Sequence, residues 1–319
     1  MMERREFIQK SALTGMALAL ANQGFASEPK PAQGSYPKRP YKSEQTKLSI
    51  IGFGGIVVMN VEQSHADKVV AESVERGVNY FDVAPSYGNA EDRLGPALAP
   101  FRKDVFLACK TQERSREGAE RELHASLKKM RTDHFDLYQL HALSKMEDLD
   151  KAAGPNGALE AFVQARQEGK IRFIGFSAHS AEVALAALDR FDFDSILFPF
   201  NFVCWHEGHF GPQVLEKAKA KGAARLALKA MAYSPWPEGA DRSGFKKCWY
   251  KPVSNPGEAN RALRFTLSQD ITAAIPPGEE SLFQMALDIA EKFEPLTSEE
   301  MKQVQQMAQG VQPIFRAAV

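Results

Sequence analysis

The sequence predicts a single-domain α/β protein whose strands and helices form a (β/α)8 TIM barrel. Short, nearly continuous apolar runs recur along the chain, which is typical of strands buried on both faces of a parallel sheet. Segments with apolar residues at helical spacing separate these runs and are expected to be crossover helices. An open doubly wound sheet is the alternative, but the glycines of IGFGG are followed by IVVMNVEQ, a poor start for a phosphate-binding helix.

The candidate strands number eight, which suits a closed barrel. They begin at Leu48, Val78, Asp104, Phe135, Ile171, Ser195, Arg225 and Ile271. The helical segments between them are HADKVVAESVERG, GAERELHASLKKMR, GALEAFVQARQEGK, AEVALAALDR, PQVLEKAKAKG and ANRALRFTLSQ, and TSEEMKQVQQMAQG predicts a C-terminal helix. The barrel is therefore expected to span residues 48–319.

Composition fits one large domain that acts on a small molecule. The chain has 319 residues, is 44% hydrophobic, and carries 40 basic and 40 acidic residues. This charge balance gives no reason to expect a nucleic-acid partner or an anionic membrane surface. Cys109, Cys204 and Cys248 are too few and too far apart to form a disulfide framework.

The first 26 residues predict an export signal rather than part of the barrel. Arg4 and Arg5 precede a short apolar stretch, SALTGMALALA, and Ala26 offers a small-residue cleavage point. This pattern resembles a twin-arginine signal, which implies the twin-arginine export machinery as a partner and a periplasmic or otherwise exported location. An ordinary N-terminal helix is the alternative. No stable membrane insertion is expected after signal removal, and residues 27–47 are expected to be a disordered, proline-rich linker.

Four polar residues lie at or just after the ends of consecutive candidate strands. They are Asp82, Tyr87, Lys110 and His141. Enzymes with a (β/α)8 barrel have their active sites at the carboxyl ends of the strands, so these side chains are the candidate catalytic residues. Each alone is as easily a salt bridge, a cap or a packing residue, and the joint placement favours the catalytic interpretation.

Four stretches of the chain resemble the aldo-keto reductase superfamily. They are GVNYFDVAPSYGNAEDRLGPAL, LACKT, SLKKMRTDHFDLYQLH and GKIRFIGFSAHS, and the resemblance covers residues 48 to about 294. It implies reduction of an aldehyde or ketone with NADP or NAD. The residue chemistry agrees: Tyr87 can donate a proton, Lys110 can stabilise the phenolate, Asp82 can keep Lys110 charged, and His141 can orient the carbonyl.

The cofactor site departs from the pattern that the resemblance implies. Ser177 and Ala178 stand where the family has Ser-Asn, and Leu197 replaces a Gln. In ARLALKAMAYSPW, counting from Gly222 places Lys229 at the cofactor, whereas matching AYSP would place Tyr233 there, and the counted register is preferred.

After the last candidate strand, AIPPGEE replaces a basic phosphate-binding element. Pro276 and Gly278 are expected to approach the cofactor there. Glu279 and Glu280 bring negative charge near the position of an NADP 2'-phosphate, so weak or altered NADP preference is expected, with NADH an alternative.

Two loops are open to more than one interpretation. Cys204, His206, Glu207 and His209 have a spacing that could hold a metal, although a loop lining the substrate pocket is favoured and no metal is predicted. The long segment at residues 233–258 is equally compatible with a lid and a surface excursion.

The predicted function is reduction of a carbonyl or sugar substrate. Two alternatives are kept: a nucleotide- or sugar-binding barrel with little turnover, and a Schiff-base lyase with Lys110 or Lys229 as nucleophile. Substrate identity and oligomeric state are left open.

Overall fold

A computed structural model describes residues 36–317, and its parallel strands form the predicted barrel. In chain order the strands are β1 (Lys38–Tyr41), β2 (Ser43–Ser49), β3 (Phe53–Gly54), β4 (Tyr80–Asp82), β5 (Phe106–Thr111), β6 (Phe135–Leu143), β7 (Ile171–Ala178), β8 (Ser195–Pro199), β9 (Ala224–Leu228), β10 (Ala232–Pro235), β11 (Tyr250–Pro252) and β12 (Ala273–Ile275). Eight of them, β3 to β9 and β12, form one sheet in the order β12-β9-β8-β7-β6-β5-β4-β3.

The two edges of this sheet meet next to β3. Ile51 forms a parallel bridge with Ala274. Gly52 N donates to Ala274 O at 2.9 Å, and Ala274 N donates to Ile50 O at 2.8 Å. The (β/α)8 barrel that the apolar runs predict is therefore confirmed, and the carboxyl ends of its strands share one face.

The helices follow the apolar periodicity of the sequence. They are α1 (Gln63–Glu75), α2 (Ala90–Leu98), α3 (Arg116–Lys129), α4 (Met146–Ala153), α5 (Ala158–Gln167), α6 (Ala181–Arg190), α7 (Phe202–His206), α8 (Pro212–Ala220), α9 (Pro256–Leu267), α10 (Glu280–Glu291) and α11 (Ser298–Ala308). Side chains of Ser115, Ser180 and Asn255 accept hydrogen bonds from the first turns of α3, α6 and α9, and Thr297 forms a capping box with Glu300. Among residues 36–317, the helices are too short or too polar to cross a bilayer.

The expectation of a disordered linker at residues 27–47 is wrong for its last part. Residues 38–49 form the antiparallel β1–β2 hairpin. Tyr41 is fully buried, with its ring 4.9 Å from that of Phe106 and 5.0 Å from that of Phe173. The Arg39 guanidinium donates to Ile271 O and Leu267 O, each at 2.7 Å. These long-range contacts order a segment whose charged, proline-containing composition suggested disorder.

The hairpin also changes the first strand. The sequence predicts a barrel strand from Leu48, but Leu48 and Ser49 pair with β1, and the barrel strand is the short β3. The twin-arginine signal and the rest of the linker fall outside the described residues.

Candidate active site

A buried ion pair lies at the ends of β4 and β5. Lys110 Nζ donates to Asp82 Oδ1 and, at 3.2 Å, to Val83 O. The second carboxylate oxygen of Asp82 accepts from Gln139 Nε2 at 3.2 Å and from the Tyr80 hydroxyl at 3.4 Å. Burial disfavours charge on Lys110, but the adjacent carboxylate outweighs it, and the pKa of Lys110 is raised above its ordinary value. The site therefore holds a fixed ammonium group.

Tyr87 and His141 contact each other next to this pair. Tyr87 lies in the turn between β4 and α2, with its ring centroid 5.2 Å from Lys110 Nζ. The rings of Tyr87 and His141 meet edge to face, with centroids 5.7 Å apart and an interplanar angle of 85°. Ser86 Oγ lies 3.4 Å from His141 Nδ1. The structure thus places all four predicted catalytic residues in one cluster at the carboxyl ends of the strands.

His141 is an uncharged imidazole. Burial lowers its pKa to about 3, and the nearby charges of Lys110, Lys229 and Arg114 act in the same direction. A neutral imidazole keeps one donor and one acceptor nitrogen, so it can donate a hydrogen bond to a carbonyl oxygen. Arg114 was not identified from the sequence. Its Nη2 donates to His141 O at 2.6 Å, which fixes the backbone at the end of β6.

The register of β9 places Lys229 at the mouth of the barrel. The strand ends at Leu228, and Lys229 follows in the left-handed region with φ +62°. Lys229 Nζ lies 3.2 Å from His179 Nε2, 5.7 Å from the ring centroid of Trp249 and 5.8 Å from that of Phe315. Phe315 stacks on His179 with centroids 5.2 Å apart and an angle of 10°. No sequence pattern points to Phe315, because it lies beyond the last helix in a segment without periodicity.

The alternative cofactor residue, Tyr233, does not belong to the barrel sheet. It lies on β10, which pairs with β11 in a separate two-stranded sheet. The counted register, which favours Lys229 over Tyr233, agrees with the end of β9 at Leu228. Contact of Lys229 with a cofactor stays a prediction.

Ser177 and Ala178 end β7 and are both buried. Ser177 Oγ accepts from Ala142 N at 2.8 Å, so its hydroxyl hydrogen is left to donate to another group. Ala178 offers only a methyl group. One side-chain donor is therefore present at this strand end, and its contact with a cofactor stays a prediction.

Pro276 and Gly278 lie in the loop between β12 and α10. A Cβ on Gly278 would stand 2.3 Å from Ile56 Cγ2, so glycine is needed for this loop to pack on the turn after β3. The loop delivers the N-terminus of α10, which suits an anionic phosphate group. Contact of Pro276 and Gly278 with a cofactor stays a prediction.

The donors at this face fit a nicotinamide cofactor. Asn201, after β8, has a buried Nδ2 without a partner among residues 36–317, while its Oδ1 caps α7. Asn201, Ser177 and the first turn of α10 would hold the amide and phosphate groups of such a molecule. The buried Leu197 on β8 supplies no hydrogen-bond donor. The side-chain donors available to a cofactor are therefore fewer than the family resemblance implies.

The segment after β10 packs against the loops that follow the neighbouring strands β12 and β3. Trp236 Nε1 donates to Cys248 O at 3.0 Å within the segment. Lys247 Nζ donates to Val57 O at 2.7 Å, and Lys247 N donates to the Glu279 carboxylate. Residues 236–249 therefore join the loops that follow β9, β3 and β12. These contacts hold the segment against neighbouring loops, and its role as a lid stays a prediction.

The loop that contains Cys204, His206, Glu207 and His209 begins with the short helix α7. Cys204 and His206 lie in α7, where Cys204 is buried and the His206 ring packs on Phe265 with centroids 5.3 Å apart. Within residues 36–317, no group of three or more His, Cys, Asp or Glu side chains is arranged to hold a metal ion.

The two half-buried histidines, His141 and His179, predict acid sensitivity of the fold. Burial keeps the pKa of His141 and of His179 well below the ordinary 6.5. Between these low values and pH 6.5 the unfolded chain binds more protons than the folded chain, so stability rises with pH in that window. We expect urea unfolding to give a lower free energy at pH 5.5 than at 7.5, with a slope of at most about 1.4 kcal/mol per pH unit for each imidazole. The double variant His141→Gln, His179→Gln should lose most of this slope, and an unchanged slope would contradict the assignment.

Known proteins resemble this chain in sequence and fold. The aldo/keto reductase family model matches residues 50–308. The chain is 25% identical over 311 residues to the uncharacterized oxidoreductase YqkF of Bacillus subtilis (strain 168), covering 88% of this chain and 98% of that protein. It is 30% identical over 159 residues to L-galactose dehydrogenase of Arabidopsis thaliana, covering 45% and 49%. The aldo-keto reductase AKR11C1 of Bacillus halodurans has the same fold, with a TM-score of 0.69 at 24% identity over 88% of this chain and 99% of that one. The chain therefore belongs to the aldo/keto reductase family and is an NAD(P)-dependent oxidoreductase.

Proposed function

We propose that this protein reduces an aldehyde or ketone to an alcohol, with Tyr87 as the proton donor. The observation that carries the proposal is the buried Lys110–Asp82 pair, whose ammonium group lies 5.2 Å from the Tyr87 ring. A phenol holds its proton at neutral pH, and it donates readily only where a nearby cation stabilises the phenolate. Lys110 is that cation.

The four residues have separate tasks in this mechanism. A nicotinamide cofactor, when bound, would provide the hydride that reduces the carbonyl carbon. Tyr87 gives its proton to the carbonyl oxygen, and Lys110 stabilises the phenolate that results. Asp82 keeps Lys110 charged in a buried place, and the uncharged His141 donates a hydrogen bond that sets the angle of the carbonyl oxygen.

The ion pair argues against Lys110 as a Schiff-base nucleophile. Imine formation needs a neutral amine, whereas Asp82 keeps Lys110 protonated. Lys229 has no such partner among residues 36–317, so borohydride trapping with peptide mapping should be run with each substrate. A substrate adduct on Lys229 would favour the lyase alternative.

The first test is a fluorescence titration with NADPH and with NADH, followed by absorbance at the nicotinamide band with a panel of aldehydes and sugars. Binding with turnover supports the reductase. Absence of binding by both nucleotides, with the protein shown to be folded by circular dichroism, would contradict it.

We propose weak or altered preference for NADP, with NADH as the alternative cofactor. Glu279 accepts from Lys247 N, and Glu280 lies 2.7 Å from His65 Nε2, so both carboxylates are held near the start of α10. Their charge would repel a 2'-phosphate, at an expected cost of about 1 kcal/mol. The double variant Glu279→Gln, Glu280→Gln should therefore bind NADPH about fivefold more tightly, with little change for NADH. Glu299→Gln, in the first turn of α11, is the matched control, and an unchanged NADPH-to-NADH ratio in the double variant would exclude this role.

We also propose export by the twin-arginine route, with a periplasmic or otherwise exported location. The support is the sequence of residues 1–26, with Arg4 and Arg5 ahead of an uncharged apolar stretch. Cell fractionation of the full chain and of the variant Arg4→Lys, Arg5→Lys tests it. Retention of the variant in the cytoplasm supports the route, whereas equal export of both contradicts it.

A further inference from the structure

We infer that the barrel mouth beside His141 binds an oxyanion of the substrate, with Lys229 as its counterion. The substrate class would then be aldehydes or ketones that carry a carboxylate or phosphate group. The inference rests on the proposed reductase function and narrows its substrate. We call Lys229, His179, Trp249 and Phe315 the anion pocket.

The first observation is that Lys229 has no acidic partner. Among residues 36–317, no carboxylate lies within 4 Å of its ammonium group, whereas the buried Lys110 and the half-buried Lys170 and Lys217 are each paired with a carboxylate. The nearest polar atom is His179 Nε2, at 3.2 Å. The pKa of His179 is kept low by burial, so this neighbour is neutral and does not balance the charge.

The second observation is the charge of the surroundings. Each charged group that acts on His141, namely Lys110, Lys229 and Arg114, is positive. The charge of Lys110 is balanced by Asp82, and the carboxylates of Asp148 and Glu113 attract the Arg114 guanidinium. Within residues 36–317, Lys229 is the one of these three cations on which no carboxylate acts. A charge enclosed in this way is stabilised by an anion far more than an exposed charge would be.

The third observation is the shape of the enclosure. The rings of Trp249 and Phe315 both lie within 6 Å of Lys229 Nζ, with their centroids 5.9 Å apart. Trp249 is 56% exposed, and in the described part of the chain it is the single large hydrophobic residue that is so exposed. An exposed indole beside an unpaired ammonium group suits a ligand with a flat or apolar body and an anionic end.

Lys229 is also held in an unfavourable backbone conformation. Its φ of +62° lies in the left-handed region, which costs a non-glycine residue about 1 kcal/mol or more. Glycine would fill this position without strain. A lysine kept here is consistent with a role for its ammonium group.

The inference predicts a pH signature. The ionisable groups that face Lys229 are His179, His141, Lys110 and Cys204. Burial lowers the pKa of Lys229 to about 7, and the charge of Lys110 adds to this. A bound oxyanion favours the charged form, so KM for an anionic substrate should rise about tenfold for each pH unit above 7, whereas KM for a neutral analogue should stay nearly constant.

The test compares 4-carboxybenzaldehyde with its methyl ester, and glyceraldehyde 3-phosphate with glyceraldehyde. The wild type should prefer the anionic member of at least one pair by about 10- to 100-fold in kcat/KM. The pair that shows the preference identifies the bound oxyanion as a carboxylate or a phosphate. Lys229→Met should remove this preference, so that kcat/KM for the anionic member falls about 10- to 100-fold relative to the neutral member. Lys251→Met, an exposed lysine on β11, is the matched control and should leave both unchanged.

Three results would overturn the inference. One is equal kcat/KM for the anionic and neutral members of both pairs. Another is an equal loss for both members in Lys229→Met together with weaker nucleotide binding, which would make Lys229 a cofactor residue. If no aldehyde is reduced, the reductase proposal fails by itself. Calorimetric binding of 4-(hydroxymethyl)benzoate and of its methyl ester then decides whether the anion pocket binds a carboxylate. Binding of the acid that Lys229→Met abolishes would support it, and equal binding of acid and ester would overturn it.

Discussion

Tyr87→Phe should lower kcat for carbonyl reduction by about 10³-fold, while the dissociation constant for the nicotinamide cofactor changes less than about twofold. The variant removes only the phenol oxygen. The ring keeps its edge-to-face contact with His141, with centroids 5.7 Å apart, and its position 5.2 Å from Lys110 Nζ. The proton donor would be lost without loss of packing. Steady-state kinetics with the best aldehyde and a fluorescence titration of the cofactor measure the two quantities.

A second tyrosine provides the matched control for this variant. Tyr138 is buried on β6 with its ring 4.9 Å from that of Phe162, and its hydroxyl has no partner among the described residues. Tyr138→Phe removes the same atom outside the cluster. It should leave kcat within about twofold, because the removed hydroxyl makes no hydrogen bond within residues 36–317 and its loss costs little stability. Unchanged kcat in Tyr87→Phe would exclude Tyr87 as the proton donor. Equal losses in both variants would point to a general effect on the fold.

The barrel and its four polar residues could be predicted because both depend on local patterns. Strands buried on both faces need continuous apolar runs, and the polar residues that end such runs must lie at one face of a parallel barrel. The structure brings Asp82, Tyr87, Lys110 and His141 together there, and the barrel is confirmed. The catalytic role of each residue stays a prediction.

Features that depend on distant contacts could not be predicted in the same way. The β1–β2 hairpin is ordered by Tyr41 and Arg39, whose partners lie far away in the sequence, so composition alone indicated disorder. Arg114 and Phe315 lie in segments without periodicity, and only the folded chain brings them to His141 and His179. Hydrophobic patterning carries no information on such pairings.

Lys110→Met should lower the free energy of unfolding at pH 7.5 by about 3–5 kcal/mol. Methionine fits the volume of the lysine stem, but the Asp82 carboxylate, which is 2% exposed, would lose its counterion. Gln139 Nε2 at 3.2 Å and the Tyr80 hydroxyl at 3.4 Å would be its remaining partners. The variant should therefore bind a proton at Asp82 in the folded state. Because that pKa would exceed the unfolded value of about 3.9, the deficit should shrink as the pH falls from 7.5 to 5, which urea unfolding at both pH values measures.

The double variant Asp82→Asn, Lys110→Met separates the structural role of the pair from its catalytic role. With both charges removed, no buried carboxylate is left unpaired, so most of the lost stability should return. Turnover should not return, because Tyr87 would still lack the cation that stabilises its phenolate, and kcat should stay about 10²- to 10³-fold below the wild type. Recovery of both stability and kcat in the double variant would show that Lys110 only balances a buried charge. Recovery of neither would show that the site needs this ion pair to fold.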